Sequence, residues 1–432
     1  MASEKMQRIT IQPTSGLRGS PIIPGDKSIS HRSLIFGAIA EGKTQIKGLL
    51  GSADVQSTQY CLKTLGVNFE KQGDDLIVEG KGLHGLQTPT NSLDCGNSGT
   101  TIRLLMGLLS GQKFSSILLG DSSLSKRPMK RVAAPLIKMG AQINLSENQY
   151  CPLEIKGTHL QAIDYELPVA SAQIKSAILL ASLYTKQKCT LTGKINSRDH
   201  SERLLKHFGV KIDCSASQIE TQPQQKLTAK DVNVPSDLSS AAFWIAAACI
   251  TENSKITLNN LSLNPTRTGF LSVLERMGAH ITTSVTTDSP EPIGTLEVET
   301  SCLKGTKIQG QEIPLLIDEI PLIAILACFA QGKTEVRDAK ELRVKESDRI
   351  EVVAKNLRAM GAQITTYEDG FMIDGPQNLN GANINPHHDH RIAMAFTIAA
   401  LRAKGETHIL DADCVNISYP EFFNTLESLK NG

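Results

Sequence analysis

"VAKNLRAMGAQITTYEDGFMIDG" (353–375) holds a stretch with apolar residues at helical spacing, then an apolar–Gly–Ala phrase, then a β-rich segment. Glycine just past the last apolar position of a helix is a C-cap signal. The phrase recurs as "LGV" at Gly66, "MGA" at Gly140, "FGV" at Gly209 and "MGA" at Gly278, at intervals of about 70–80 residues. Each copy closes a helix-like stretch, as in "STQYCLKTLGV" (57–67) and "SERLLKHFGV" (201–210). The units also open alike. A polar cluster leads into an Ala/Leu-rich helix, then Gly, then a strand, as in "LIDEIPLIAILACFAQGKTEVRD" (316–338) and "HHDHRIAMAFTIAALRAKGETHIL" (387–410). Six openings of this kind can be aligned, the last without its closing Gly, so the chain reads as an α/β protein of six repeats. The opening helices are apolar nearly all round, which predicts that they lie inside.

Units this long and mixed do not make a solenoid. Three repeats per domain is the economical division. It gives one domain of residues 1–19 with 234–432 and a second of residues 20–233, with the break near "KDVNVPSDLS" (230–239). The opening strand "RITIQPTSG" (8–16) is expected to pair with the second half. The net charge of +1 argues against a nucleic-acid or membrane surface, so any basic residues that matter act locally. Nine cysteines without a C-x-x-C spacing argue against a zinc site or disulfide framework and fit a reducing cytosol. The N-terminus has no apolar signal-peptide core, and the apolar run "AAFWIAAACI" (241–250) is about half a membrane span. A cytoplasmic, soluble monomer is expected.

The chemistry-bearing residues cluster where the six apolar helices begin. They are Lys27, Ser28 and Arg32; Asn97, Ser98, Gly99, Thr100 and Arg103; Ser171, Ala172 and Gln173; Ser236, Asp237, Ser239 and Ser240; Asp318 and Glu319; and His388, Asp389, His390 and Arg391. Ser, Asn and Asp there read first as N-caps. Lys and Arg oppose the partial positive charge of a helix start. Three units with such cations point to anionic ligands that outweigh the repulsion; the bland alternative is local neutralisation of Asp26 and Asp389. "SKRPMKR" (125–131) puts Arg127 on a loop entering a helix, and "ELRVKESDRIEVV" (341–353) puts Lys345 and Arg349 at i, i+4 on one face of a helix start, with Glu346 between them. "GDKS" (25–28) lacks the spacing of a phosphate-binding P-loop, and no dinucleotide fingerprint or nucleophile elbow occurs. "HHDH" (387–390) has no second ligand pair, so no metal is expected.

Seven motifs in order, "PGDKSISHR" (24–32), "GNSGTTIR" (96–103), "KRPM" (126–129), "SAQIKSA" (171–177), "LIDEIP" (316–321), "RVKESDR" (343–349) and "HDHRIAMAF" (388–396), resemble the 5-enolpyruvylshikimate-3-phosphate (EPSP) synthase family from about Ile9 to Glu427. The resemblance implies the enolpyruvate transferase fold: a two-domain inside-out α/β barrel of six βαβαββ repeats whose helix starts face an interdomain cleft. It implies transfer of the enolpyruvyl group of phosphoenolpyruvate to the 5-hydroxyl of 3-phosphoshikimate by addition and elimination, with release of phosphate and no cofactor or metal. By motif, Lys27, Ser28, Arg32, Ser171, Ala172, Gln173, Arg198, Asp318 and Lys345 would meet 3-phosphoshikimate. Lys27, Asn97, Gly99, Arg127, Gln173, Arg349 and Arg391 would meet phosphoenolpyruvate. Asp318 would be the general base and Glu346 the proton donor to carbon, with Lys27 assisting.

The sequence departs from the family pattern at Ile417, where some members carry Lys, at Glu341, where others have Asn, and at Leu104, where some have Pro. These changes leave part of the phosphate grip, one ring contact and sensitivity to glyphosate open. Two alternatives stand beside this reading. One is a UDP-N-acetylglucosamine enolpyruvyl transferase, whose loop Cys has no counterpart in "GQKFSSILLGDSSLSKRPM" (111–129). The other is a non-catalytic anion-binding protein, in which Asp318 and Glu346 would be out of place.

Overall fold

The computed structural model describes residues 8–223 and 225–430. The chain forms two compact units, Gly25–Pro235 and Met1–Pro24 with Ser236–Gly432. Each has its own hydrophobic core.

In Gly25–Pro235, the second repeat shows the plan most simply. A lead strand (Leu93–Asp94) enters an inner helix (Gly99–Ser110), then a strand (Ser115–Leu119), an outer helix (Lys130–Lys138) and a hairpin (Gln142–Ser146, Tyr150–Lys156). The lead strand runs parallel to the second strand, and the hairpin adds antiparallel, giving the order lead–second–fourth–third. The third repeat repeats it, with inner helix Ala172–Ser182 and outer helix His200–His207. The first repeat has inner helix Lys27–Ile39 and outer helix Ala53–Thr64, but its lead strand is Val232–Asn233, paired with Ile46 and Lys47 from the far end of the unit.

The other unit follows the same plan, with inner helices Leu238–Ile250, Ile320–Ala327 and His390–Ala400. The strand leading its first sheet, Arg18–Gly19, comes from the N-terminal segment and pairs with Lys255 and Ile256. Each of these two-residue strands joins a sheet of its own unit, although the inner helix that follows it in the chain, Lys27–Ile39 or Leu238–Ile250, belongs to the other unit. The sixth repeat ends in the helix Phe422–Lys430 without a hairpin, and Ile9–Ile11 takes the missing place, antiparallel to Thr407–Ile409. The expectation that the opening strand pairs with the second half holds.

The inner helices are buried as their composition predicts; every residue of Leu238–Ile250 is buried. The five closing glycines all have positive φ, between 84° and 95°. Each ends its helix in the same pair of bonds. At Gly361 the amide donates to Arg358 O, and that of Ala362 donates to Leu357 O. This is the Schellman closure, which satisfies carbonyls the helix leaves open. Among the described residues no helix is long and apolar enough to cross a membrane.

Candidate active site

In Gly25–Pro235 the inner helix starts gather cations. Asp26 caps Lys27–Ile39 by accepting from the Ile29 amide at 2.8 Å. Lys27 is not neutralised by that cap: its Nζ donates to Asp54 Oδ2 at 3.0 Å, from the outer helix of the same repeat. Arg32, 2% exposed, reaches inward. Its Nε donates to Ser201 Oγ and its Nη2 to Ser176 Oγ, each at 2.7 Å, and its Nη1 donates to Ser28 O at 2.9 Å. A buried chain of hydroxyls, His31 Nδ1–Thr58–Thr101–Ser98, joins the first helix start to the second with spacings of 2.6–2.7 Å.

Ser98 caps Gly99–Ser110. A Cβ at Gly99 would stand 2.8 Å from Arg103 Nη1 and 3.3 Å from Arg127 Nη1, so both guanidinium groups crowd this helix start. Arg127 Nη1 donates to Asn97 O at 3.2 Å, and Asn97 Nδ2 donates to Asp121 Oδ2 at 2.7 Å. Arg103 Nη1 donates to Gln173 Oε1 at 2.7 Å, which links the second helix start to the third, where Ser171 caps and Ala172 opens the helix. Arg198 lies in the segment between Gly193 and His200.

In the other unit the acidic and basic residues converge on one carboxylate. Asp318 Oδ1 is 3.4 Å from Arg349 Nη1 and 3.8 Å from Lys345 Nζ, and its Oδ2 is 3.9 Å from Arg391 Nη2. Arg349, 1% exposed, donates through Nε to Asp389 Oδ2 and through Nη2 to Glu346 Oε2, each at 2.8 Å. Burial works against charge on both Arg349 and Asp389. Their mutual attraction prevails, so the guanidinium pKa is raised and that of the Asp389 carboxyl is lowered. Asp389 also caps His390–Ala400 through the Arg391 amide. The fourth helix start is a cap of the ordinary kind, in which Asp237 accepts from the Ser239 amide.

One local expectation needs correction. Lys345 and Arg349 do not share a helix face. Lys345 follows a short 3₁₀ turn (Lys340–Val344) in extended conformation, and the helix begins at Arg349. The Asp348 side chain caps that helix by accepting from the Glu351 amide, which fixes the start there. The two cations meet at Asp318 from different elements. The Glu346–Arg349 ion pair lies on a buried guanidinium that also pairs with Asp389.

The EPSP synthase (3-phosphoshikimate 1-carboxyvinyltransferase) family model matches residues 11–426. The chain belongs to the EPSP synthase family. It is 51% identical over 427 residues, 98% of this chain and all of the relative, to a protein of Bacillus cereus (strain ATCC 10987 / NRS 248) named 3-phosphoshikimate 1-carboxyvinyltransferase. A protein of the same name from Bacillus thuringiensis (strain Al Hakam) is likewise 51% identical, over the same shares of both chains. Among solved structures, an EPSP synthase from Acinetobacter baumannii superposes with a TM-score of 0.88 at 42% identity, over 98% of both chains. The enolpyruvyl transferase NikO from Streptomyces tendae superposes with a TM-score of 0.76 at 16% identity, also over 98% of both, a likeness of fold.

Within the EPSP synthase frame, Asn97, Gly99, Arg127 and Gln173 form one connected group with Arg103, and Asp318, Lys345, Glu346, Arg349 and Arg391 form another. Arg103 sits at the centre of the first group although the motif reading assigned it no role. Its signal was present, a cation in the second turn of a helix start. Asp54 was not singled out, and Asp389 was read only as neutralised by its sequence neighbours, whereas each meets its cation, Lys27 or Arg349, from a separate element. Ile417 packs against the core of its unit and offers no cation. Cys95 is fully buried, with its thiol pKa pushed up by the neighbouring Cys61 and by burial, so it is inert rather than nucleophilic.

Proposed function

We propose that this chain transfers the enolpyruvyl group of phosphoenolpyruvate to the 5-hydroxyl of 3-phosphoshikimate, releasing phosphate. The observation that carries this reading is the pairing of carboxylates with cations around Asp318. A protein that only bound anions would gain nothing from Asp318 and Glu346 among Lys345, Arg349 and Arg391. Carboxylates held there suit proton transfer beside a bound anion.

In this reading Asp318 accepts the proton of the 5-hydroxyl while its oxygen attacks C2 of phosphoenolpyruvate. A proton goes to the methylene carbon, giving a tetrahedral adduct. Loss of a proton from the methyl group and departure of phosphate then restore the double bond. Glu346 is the assigned donor to carbon, with Lys27 assisting. Glu346 is held by Arg349, and the carboxylate or phosphate of the substrate would compete for that guanidinium. Arg127, Arg349 and Arg391 suit phosphoenolpyruvate because a guanidinium fork grips carboxylate or phosphate through two donors. Asn97, the Gly99 amide and Gln173 complete that set, and Ser28, Arg32, Ser171, Ala172, Gln173, Arg198 and Lys345 serve the acceptor. The protein works in the cytoplasm as a monomer.

Phosphate release on mixing both substrates tests the reading, with each omitted in turn. Release only when both are present supports it. If 3-phosphoshikimate gives none and UDP-N-acetylglucosamine gives release, the acceptor is wrong.

A further inference from the structure

Lys175 lies in the second turn of the inner helix Ala172–Ser182 and is 1% exposed. Its ammonium is 2.6 Å from Glu202 Oε1, on the outer helix of the same repeat, and donates to Ile195 O at 3.2 Å and Ser197 O at 3.0 Å. Three acceptors match the three protons of an ammonium. A cation so enclosed does not reach a substrate. Two of its three partners are backbone carbonyls of the segment that carries Arg198. The neighbouring residues on both helices, Ser176 and Ser201, hold Arg32.

The arrangement is more than a stability device. A buried ion pair is often no more stabilising than apolar side chains of the same volume. Apolar replacements, however, take the Lys175 donor from both the Ile195 and Ser197 carbonyls, and the segment then loses what ties it to the helix. The Ser197 amide donates back to Ile195 O at 2.8 Å, so the anchored part is a tight turn immediately before Arg198.

We propose that Lys175 is a positioning residue for the acceptor's phosphate: it clamps the turn Ile195–Ser197 so that Arg198 is held in place for that anion. The proposal rests on the reading of this chain as a 3-phosphoshikimate transferase. It predicts a defect confined to one substrate.

The test compares wild type with Lys175→Met/Glu202→Met, which removes both charges at similar volume. Phosphate release by wild type with both substrates is measured first, and its absence would sink the functional reading rather than the clamp. Given wild-type activity, the double variant should unfold within a few degrees of wild type. Its KM for 3-phosphoshikimate should rise about tenfold or more, with KM for phosphoenolpyruvate within about twofold. Adding Arg198→Ala should raise the KM little further, because both changes remove the same contact. Should the Met pair fail to fold, Lys175→Gln/Glu202→Gln takes its place, with a rise of about threefold and the same non-additivity expected. A folded variant with unchanged KM for 3-phosphoshikimate, an equal rise in both KM values, or additivity with Arg198→Ala overturns the proposal.

Discussion

At the scale of single residues, Asp318 shares its surroundings with Lys345, Arg349 and Arg391. Asp318→Asn keeps the shape but removes the base proposed above, so turnover should fall about a hundredfold or more at an unchanged melting temperature. Near-normal turnover would remove Asp318 from that role. Gly99 has no room for a side chain without displacing Arg103 and Arg127. Those are flexible ends, so Gly99→Ala should fold, but with a raised KM for phosphoenolpyruvate; an unchanged value would place that substrate elsewhere. His31 is buried, and burial first, then Lys27 and Arg32, push its pKa well below 6.5, against Asp26. The folded protein keeps it neutral where the unfolded chain protonates it. Its contribution is complete above the unfolded value and is lost below that value at about 1.4 kcal/mol per pH unit, until the folded value is reached. Stability measured at about pH 7 and about pH 5.5 should therefore fall more in wild type than in His31→Asn. Equal losses would contradict the assignment. Lys27 and Arg391 stood out in the sequence because they oppose the helix field. Asp54 did not, because an acidic residue in a first turn already has an ordinary explanation.

At the scale of elements, the repeat was legible because one physical requirement recurs. A helix that turns back into a strand needs a left-handed residue, and glycine takes that conformation without cost. Gly209 has φ of 88° and nothing within 4 Å of an added Cβ, so it isolates the backbone effect. Gly209→Ala should lower stability by about 1–2 kcal/mol in urea denaturation, the cost of left-handed backbone for an L-residue. A loss below about 0.3 kcal/mol would mean that the closure does not depend on conformation. The lead strands Arg18–Gly19 and Val232–Asn233 were not legible, since two residues carry no period. The extended backbone at Lys345 was missed for a related reason. Charged residues continue a helical spacing equally well in a 3₁₀ turn, and only the Asp348 cap marks the true start.

At the scale of the molecule, each unit contains the lead strand of its own first sheet. Gly25–Pro235 holds three four-stranded sheets and a core of its own. Expressed alone, it should unfold in one cooperative transition. A version ending at residue 231 lacks the strand Val232–Asn233 and should be less stable; equal stability would deny that strand a structural role. The six repeats were legible in the sequence, whereas the sheets that Arg18–Gly19 and Val232–Asn233 join were not. Lys27, Gly99 and Arg127 lie in one unit, and Asp318, Glu346 and Arg391 in the other. The most direct test of the account is phosphate release from 3-phosphoshikimate and phosphoenolpyruvate, for wild type and Lys27→Ala, with no metal added. The account predicts release that needs both substrates and is lost in the variant. A well-folded wild-type protein that releases no phosphate from this pair would contradict it.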